Sequence, residues 1–550
     1  MTLRLEIDTA ILEAPSGATL FDCAERAGVR VPTSCHKNGK CRECIVEVAE
    51  GMDRLSPRTE EEKHLGEGFR LACRARLLEA SGGVRCRTLR RGAMRVESES
   101  TLDLPPFSLD PPAQRVGERI FLDGEPIAAA AGPLHGLAVD LGTTTVVLRL
   151  LDLQTGEVLA SSAFENPQRF GGSDVMARIR YDSDHPGRLL QRTLVAYLGH
   201  AIEDLPCNPE SIYEIVVAGN STMRDLLFGL DVFTIGQRPY RSLTEHELLE
   251  GKRLTTSLTA PARRLRLPAH PAARVYGLPL ISGHVGADAA ACILATGLMQ
   301  EERWITIMDI GTNTEVLAGN RDRLFVASCP AGPAFEGGLI ASGMPALEGA
   351  IEGVRIADGG AVSYQVIGGG APEGICGSGL VDILGELLRT GRLDALGRLV
   401  DGSDRFMVCP ERGIGLGEKD ISQLAQAKGA NIAGLGILLK NAGIDSNGIE
   451  VFYLSGGFAK HLRLDAARRI GLVPDLPDEK LWQVGNSSIQ GATIALLSAQ
   501  RRRELEAFVR RAVHVELETD PEFFDHFVEG CLLKPVRPIR LEGGLEGRGS

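Results

Sequence analysis

The stretch GLAVDLGTTTVVLRLLDLQTGEVL, residues 136–159, decides the architecture of this chain. An apolar run ends in Asp140, the turn Gly142-Thr143-Thr144-Thr145 places hydroxyls in the bend, and a second apolar run follows. Continuous apolar runs bounded by a turn read as strands buried on both faces. The unit returns as WITIMDIGTNTEVLAGN, residues 304–320, with Asp309, Gly311, Thr312, Asn313 and Thr314 in matching places. Two strand–Asp-x-Gly-Thr–strand hairpins, 169 residues apart, predict two related halves facing one cleft. Each Asp can hold a hydrated Mg²⁺ or orient water, because Mg²⁺ is bound through one or two carboxylates plus phosphate oxygens. The Gly-Thr turns offer backbone N–H groups and hydroxyls to phosphates.

Two more glycine turns lie downstream. IEVFYLSGGFAKH, residues 449–461, runs a strand into Gly456-Gly457, where bare backbone lets a purine or ribose approach. GICGSGLVD, residues 374–382, leads Gly377 and Ser378 into a helix whose first amides can meet a phosphate. ENPQRFGGSDVMARI (165–179), VVAGNSTM (216–223), GHVGADAAACI (283–293, with Asp288) and CPAGPAFEGG (329–338, with Glu336) read either as packing turns or as cleft lining. The chain has no Gly-x4-Gly-Lys-Ser/Thr, so it is not a P-loop enzyme.

The amino-terminal segment carries another chemistry. Six of the twelve cysteines fall within the first 86 residues. Leu3, Leu5 and Ile7 alternate as a strand, Ile11 marks a second, and Leu20, Phe21, Ala24 and Ala27 recur at helical spacing before Gly28. Cys35, Cys41 and Cys44 follow on a loop, and Cys73 and Cys86 stand farther on. Cys-x5-Cys-x2-Cys plus a remote cysteine is one residue longer in its first gap than the plant-type [2Fe–2S] pattern. Gly39 lets the loop aim backbone amides at the sulfurs. Zinc competes, but structural zinc pairs two short knuckles and only one is present; unrelated buried thiols are the bland alternative. The strands and helix around this loop resemble a β-grasp [2Fe–2S] ferredoxin domain over residues 1–90, and that resemblance assigns Cys35, Cys41, Cys44 and Cys73 as iron ligands. Cys23, on a helix face, reads as core. Cys86 rivals Cys73, which is favoured by its distance from Cys44.

Composition excludes several classes. At 550 residues, 43% apolar and 24% charged, the chain is neither disordered nor fibrous. A net charge of −12 argues against nucleic-acid binding as the main task. No apolar run reaches 18 residues and the start lacks a basic-then-apolar leader, so no membrane span is expected and the location expected is cytoplasmic. Residues 91–127, proline-rich and aperiodic, are expected to be a linker or extended strap. The expected domains are 1–90, this linker, a first lobe at 128–300 and a second lobe at 301–550 with a carboxyl-terminal extension, which opens as an amphipathic helix with a solvated charged face.

The order of hairpin, hairpin and Gly-Gly turn resembles the acetate and sugar kinase/Hsp70/actin superfamily. With the ferredoxin-like domain, and with NPQ, GSDVMARI, AGNSTM, DIGTNTE, GPAFEG, GICGSGLVD and LSGGF in this order, the whole chain resembles the reductive activators of corrinoid proteins. The fold this implies is multidomain, α+β and α/β: a β-grasp ferredoxin domain, a linker, and a two-lobed actin-like ATPase body of ribonuclease H-like topology. The implied activity is ATP-dependent, one-electron reduction of Co(II) to Co(I) on a corrinoid methyl-carrier protein, with an external low-potential donor refilling the cluster. The implied cofactors are the [2Fe–2S] cluster, ATP and Mg²⁺, and a homodimer is left open. Asp140 and Asp309 would bear on Mg²⁺ and water, Gly142, Thr143, Thr144, Gly311, Thr312, Asn313 and Gly377 on phosphates, Ser378 on either phosphate or the corrinoid, and Gly456 and Gly457 on adenosine. A plant-type cluster sits near −400 mV, and a one-electron gap of about 100–200 mV costs about 2.4–4.8 kcal/mol, which ATP can supply through unequal affinity for two states. The alternatives are an ATP-gated reductase of another low-potential acceptor, a small-molecule kinase with a redox appendage, and a redox-controlled binding protein.

Overall fold

In the computed structural model, which describes residues 2–78, 82–90, 102, 104–457, 459–536 and 538, the amino-terminal alternation becomes a mixed sheet. Leu3, Leu5 and Ile7 point into the core. Thr2–Ile7 pairs antiparallel with Ala10–Pro15 and parallel with Gly83–Thr88, which continues through Ile45–Glu50 to Phe69–Leu71. The helix Leu20–Arg26, capped by the Thr19 hydroxyl accepting from Asp22 N, buries Leu20, Phe21, Cys23 and Ala24 against it.

The segment expected as a strap is partly folded. Ala113–Val116, Arg119–Leu122 and Glu125–Ala129 form a three-stranded antiparallel sheet. Only Ala113 and Ile120 of these strands are buried, so they carry no apolar alternation for the sequence to show. Asp110 exchanges backbone hydrogen bonds with Leu497 and Ala499, fastening residues 104–112 to the distant carboxyl-terminal helices. Residues 91–101 and 103 of the expected linker lie outside the described residues.

The body has two six-stranded sheets of related plan. In the first, His135–Leu141, Thr145–Asp152 and Val158–Glu165 run as an antiparallel meander, with Ile212–Gly219 parallel to the leading strand. In the second, Ile305–Ile310, Thr314–Gly319 and Leu324–Cys329 repeat the meander, with Val451–Ser455 parallel to its leading strand. Asp140 and Asp309 therefore occupy equivalent places at the ends of leading strands.

The lobes are less separable than a boundary near residue 300 implies. The helix Ser487–Leu497, buried along its whole length, packs on strands His135–Leu141 and Ile212–Gly219 and on helix Ala287–Thr296. Gly491 makes this crossing possible: a Cβ there would stand 1.9 Å from the Ala291 carbonyl oxygen. Val513–His514 adds a parallel strand beside Leu324–Cys329, and helix Phe523–Gly530 packs on helix Glu418–Ala442. Among the described residues no helix is long and apolar enough to cross a membrane.

One apolar core runs from the ferredoxin-like domain into the first lobe. Polar ties cross the same boundary: Leu89 N donates to the Tyr197 hydroxyl at 3.2 Å, Arg30 pairs with Glu203 and Asp204, and Arg90 pairs with Asp204.

Candidate functional site: an acidic interlobe cleft and a four-thiol loop

The two hairpins face each other across a cleft with about 900 Å³ of open space, lined by Asp140, Gly142, Thr143, Thr144, Gly311, Thr312 and Asn313 among others. Hydrogen bonds between Gly142 N and the Thr145 carbonyl, and between Gly311 N and the Asn313 carbonyl, set the turns. Asp140 accepts from Asn486 Nδ2 at 2.7 Å and from the Ser488 hydroxyl at 2.8 Å; burial pushes its carboxyl up to about 6. Burial likewise raises Asp309. Glu336 bridges the lobes, accepting from the hydroxyls of Thr144, at 2.8 Å, and Thr312, which stand 3.2 Å apart. Gly456 lies against the end of the second leading strand, where a Cβ would come 2.2 Å from the Ile310 carbonyl oxygen, and its φ is +116°.

Every predicted residue of this cleft lines it except Ser378. Ser378 is buried, with its hydroxyl 3.5 Å from the Cys376 sulfur. Of the turns read as packing or lining, those of Asn220, Asp288 and Glu336 line the cleft; the structure adds Glu315 of the second hairpin and, from far along the chain, Asn486 and Ser488. Burial, then the charges of Asp309 and Asp140, push Asp288 up to about 7, and burial raises Glu315 and Glu336. Five carboxyls crowd one cleft, Glu315 buried and Asp140, Asp288, Asp309 and Glu336 half-buried; that is a charge concentration a divalent cation relieves, so the donor set suits Mg²⁺. Arg178, 1% exposed, donates to the Gly172 carbonyl; burial pulls it down to about 10, with Asp174 and Glu336 opposing.

The structure also brings Cys35, Cys41, Cys44 and Cys73 together. They stand as two pairs: Cys35 and Cys41 share the Thr33 hydroxyl at 4.0 and 3.9 Å, and the Cys44 and Cys73 sulfurs are 3.4 Å apart. Among the described residues no three metal-binding side chains converge closely enough to hold one ion; two thiol pairs suit two irons. His36, Lys37, Gly39 and Arg42 all adopt positive φ, curling the loop so that its amides point inward. Burial alone would raise the Cys35 thiol, but N–H groups of Cys41 and Asn38 bring it down to about 7. Amides of Glu43 and Ser34 serve Cys41, and that of Gly39 serves Cys73. Such donors favour anionic sulfur and fit a cluster of this kind. Cys86 is buried near Cys23, Asp8 and Glu6.

The fold and its two sites define an actin-like nucleotide-binding body that carries its own iron–sulfur domain. Comparison with known proteins agrees. Residues 4–78 match the 2Fe-2S iron-sulfur cluster binding domain, 135–301 the RACo middle region, and 303–539 the C-terminal ASKHA domain of RACo. The chain belongs to the RACo family. It is 28% identical to the corrinoid activation enzyme RamQ of Eubacterium limosum, over 94% of this chain and 96% of that protein. It is 24% identical to the Co(II) methylated amine-specific corrinoid protein reductase of Methanosarcina barkeri, over 72% and 76% of the two chains. The solved structure of a reductive activator for corrinoid, iron-sulfur protein superposes with a TM-score of 0.71 at 28% identity, covering 97% of this chain and 98% of that one.

Proposed function

We propose that this protein is an ATP-dependent reductive activator, which passes one electron from its [2Fe–2S] centre to the Co(II) of a corrinoid methyl-carrier protein and regenerates Co(I). The observation that carries the reading is the union of a four-thiol domain with a two-lobed nucleotide body, in a chain similar over nearly its full length to a corrinoid activation enzyme. When bound, the cluster supplies a single low-potential electron, refilled by an external donor. Cys35, Cys41, Cys44 and Cys73 hold it, and the inward amides stabilise its charge. Asp140, fixed by Asn486 and Ser488, and Asp309 position hydrated Mg²⁺ and water. Thr143, Thr144, Thr312 and Asn313 take the phosphates, on turns that Gly142 and Gly311 shape; Gly377, in the cleft lining, opens the helix Gly377–Arg389, whose first amides are further donors. Gly456 and Gly457 leave room for adenosine. Phosphates entering between the hairpins compete with Glu336 for the hydroxyls of Thr144 and Thr312, so nucleotide and lobe arrangement are linked.

The test is anaerobic. Protein reduced with dithionite or Ti(III) is mixed with a Co(II) corrinoid carrier protein, and the cobalt spectrum is followed with and without MgATP. Co(I) is expected only with MgATP, and in neither Cys41→Ser nor Asp309→Ala. Phosphorylation of a small metabolite without Co(I) would replace this reading with the kinase.

A further inference from the structure

The first phosphate hairpin and the cysteine loop belong to different domains, yet a run of hydrogen bonds joins them. Asn166 N donates to the Thr144 carbonyl at 2.6 Å, and Asn166 Nδ2 donates to the Gly142 carbonyl at 2.8 Å. One residue thus grips two carbonyls of the turn. Asn166 Oδ1 accepts from Gln168 N at 2.9 Å, and Gln168 Nε2 donates to the Leu190 carbonyl at 3.3 Å, in the first turn of helix Leu189–Glu203. Two residues farther along that helix, Arg192 reaches across the domain boundary. Its guanidinium donates to the Cys41 carbonyl at 2.6 Å and to Glu43 at 2.6 Å, between two of the proposed iron ligands. Beside Gln168, Arg169 pairs at 2.9 Å with Glu47, on the strand that leaves the loop, and covers the Phe69 ring.

Asn166 and Gln168 are both 0% exposed. Burying two amides costs free energy unless their hydrogen bonds are kept, and apolar residues would pack the same space without that cost. Their arrangement is that of a tie rather than filler. Gln168 Oε1 has no partner, but every hydrogen bond in the run has a backbone atom or a charged group at one end, so a shift at one end cannot be absorbed by side-chain rotation alone. Close-packed interiors switch between discrete arrangements rather than yielding continuously.

We infer that the Asn166–Arg169 turn and Arg192 are positioning residues that couple nucleotide occupancy of the first hairpin to the setting of the cysteine loop. This rests on the two sites proposed above but not on the corrinoid partner. Phosphates that recruit the hydroxyls of Thr143 and Thr144 pull on the turn and disturb the Gly142 and Thr144 carbonyls that Asn166 grips. The displacement passes through Gln168 and the helix to Arg192, whose positive charge beside the loop favours the more negative, reduced cluster. Charge, hydrogen bonding and exposure are the quantities that set iron–sulfur potentials. Reciprocity requires the redox state to change nucleotide affinity by the same factor.

The experiment uses the full chain with its cluster, under anaerobic conditions and without any corrinoid protein. The Kd of a non-hydrolysable ATP analogue with Mg²⁺ is measured for oxidised and for reduced protein, and the cluster midpoint potential is measured with and without the analogue. The expected ratio of the two Kd values is at least threefold, matched by a potential shift of at least about 28 mV at 59 mV per tenfold. Arg192→Met is expected to lower the potential of the nucleotide-free protein and bring the Kd ratio to one. Gln168→Leu, which removes no hydrogen bond to the loop, is expected to bring the ratio to one while leaving the nucleotide-free potential in place; the visible spectrum verifies cluster loading in each variant. A wild-type ratio below threefold overturns the proposal. So does a ratio that survives both substitutions, which is the result if Arg192 merely glues the domains. Because Co(I) formation is read separately, an intact ratio without Co(I) would sink the functional reading and leave this coupling standing.

Discussion

Substituting Glu62 is expected to loosen the iron–sulfur domain more than any surface change. Glu62 is 0% and Arg70 1% exposed, and their contact is forked: Arg70 Nε donates to Oε1 at 2.8 Å and Nη2 to Oε2 at 3.3 Å. The same carboxylate accepts from Leu71 N and Thr59 N, each at 2.9 Å. Burial works to raise Glu62, but the Arg70 guanidinium and the amides prevail and hold it below its ordinary value. Arg70 lies on the strand Phe69–Leu71, three residues before Cys73, so the pair anchors the approach to the remote thiol. Removing one partner of a buried pair strands the other charge and costs about 3–5 kcal/mol. A net stability of about 5–15 kcal/mol makes that a large fraction of the total. The assay is a urea titration of the loaded full chain, followed by the visible absorption of the cluster. Glu62→Gln should lower the unfolding free energy by about 3–5 kcal/mol. The double variant Glu62→Leu with Arg70→Met should cost clearly less than the two single changes combined, because replacing both partners leaves no stranded charge. A cost below about 1 kcal/mol for Glu62→Gln, or strict additivity in the double variant, would refute the reasoning.

Three further outcomes are expected. Gly456→Ala forces a Cβ toward the Ile310 carbonyl oxygen at a φ of +116°; strain of about 1–3 kcal/mol should appear in thermal melting, and calorimetry should show nucleotide-analogue affinity falling at least about tenfold, since 1.4 kcal/mol is a factor of ten. Cys73→Ser should abolish the visible spectrum of the cluster, whereas Cys86→Ser should leave it unchanged, because Cys86 lies beside Cys23, Asp8 and Glu6. Lys428 is buried, donates to the Leu532 carbonyl at 2.6 Å, and burial pulls its amine down to about 8, with Lys534 adding to this and Cys531 opposing. Its folded value lies below the unfolded one, so the unfolded chain binds the extra proton between them. Stability should therefore climb with pH from about 8 toward 10, by roughly 1.4 kcal/mol per unit, and urea titrations of Lys428→Met should lose that slope.

What could be read from the sequence was local. The Asp-x-Gly-Thr hairpins and the Cys-x5-Cys-x2-Cys loop each place their groups through a few consecutive residues, so composition and spacing expose them. The actin-like body and the ferredoxin-like domain follow from their order. What stayed hidden is assembled over long range. Asn486 and Ser488 reach Asp140 from almost 350 residues away, and Glu336 joins Thr144 to Thr312 only once the lobes have met. Nothing in SDVMARIRY distinguishes Arg178, a buried cation, from a solvated arginine of the same helix. The strands within residues 113–129 leave no mark in the sequence because short, mostly exposed strands carry no apolar alternation. Ser378 sits in a glycine-rich turn of the right type, but helix geometry buries it beside Cys376, out of the cleft lining.

The late helix Ser487–Leu497, lodged in the first lobe, has a consequence for biosynthesis. A ribosome has already released the strands of that lobe when nearly 280 residues still separate Gly219 from Leu497. At about 5–20 residues per second the wait is roughly 15–60 s. During it, the apolar faces of His135–Leu141 and Ile212–Gly219 lack the helix that covers them. The amino-terminal sheet, complete by Thr88, is under no such delay and can fold first. Nascent chains are therefore exposed to aggregation in the middle of the molecule rather than at its iron-binding end, and truncation anywhere before residue 497 leaves the first lobe without part of its own core.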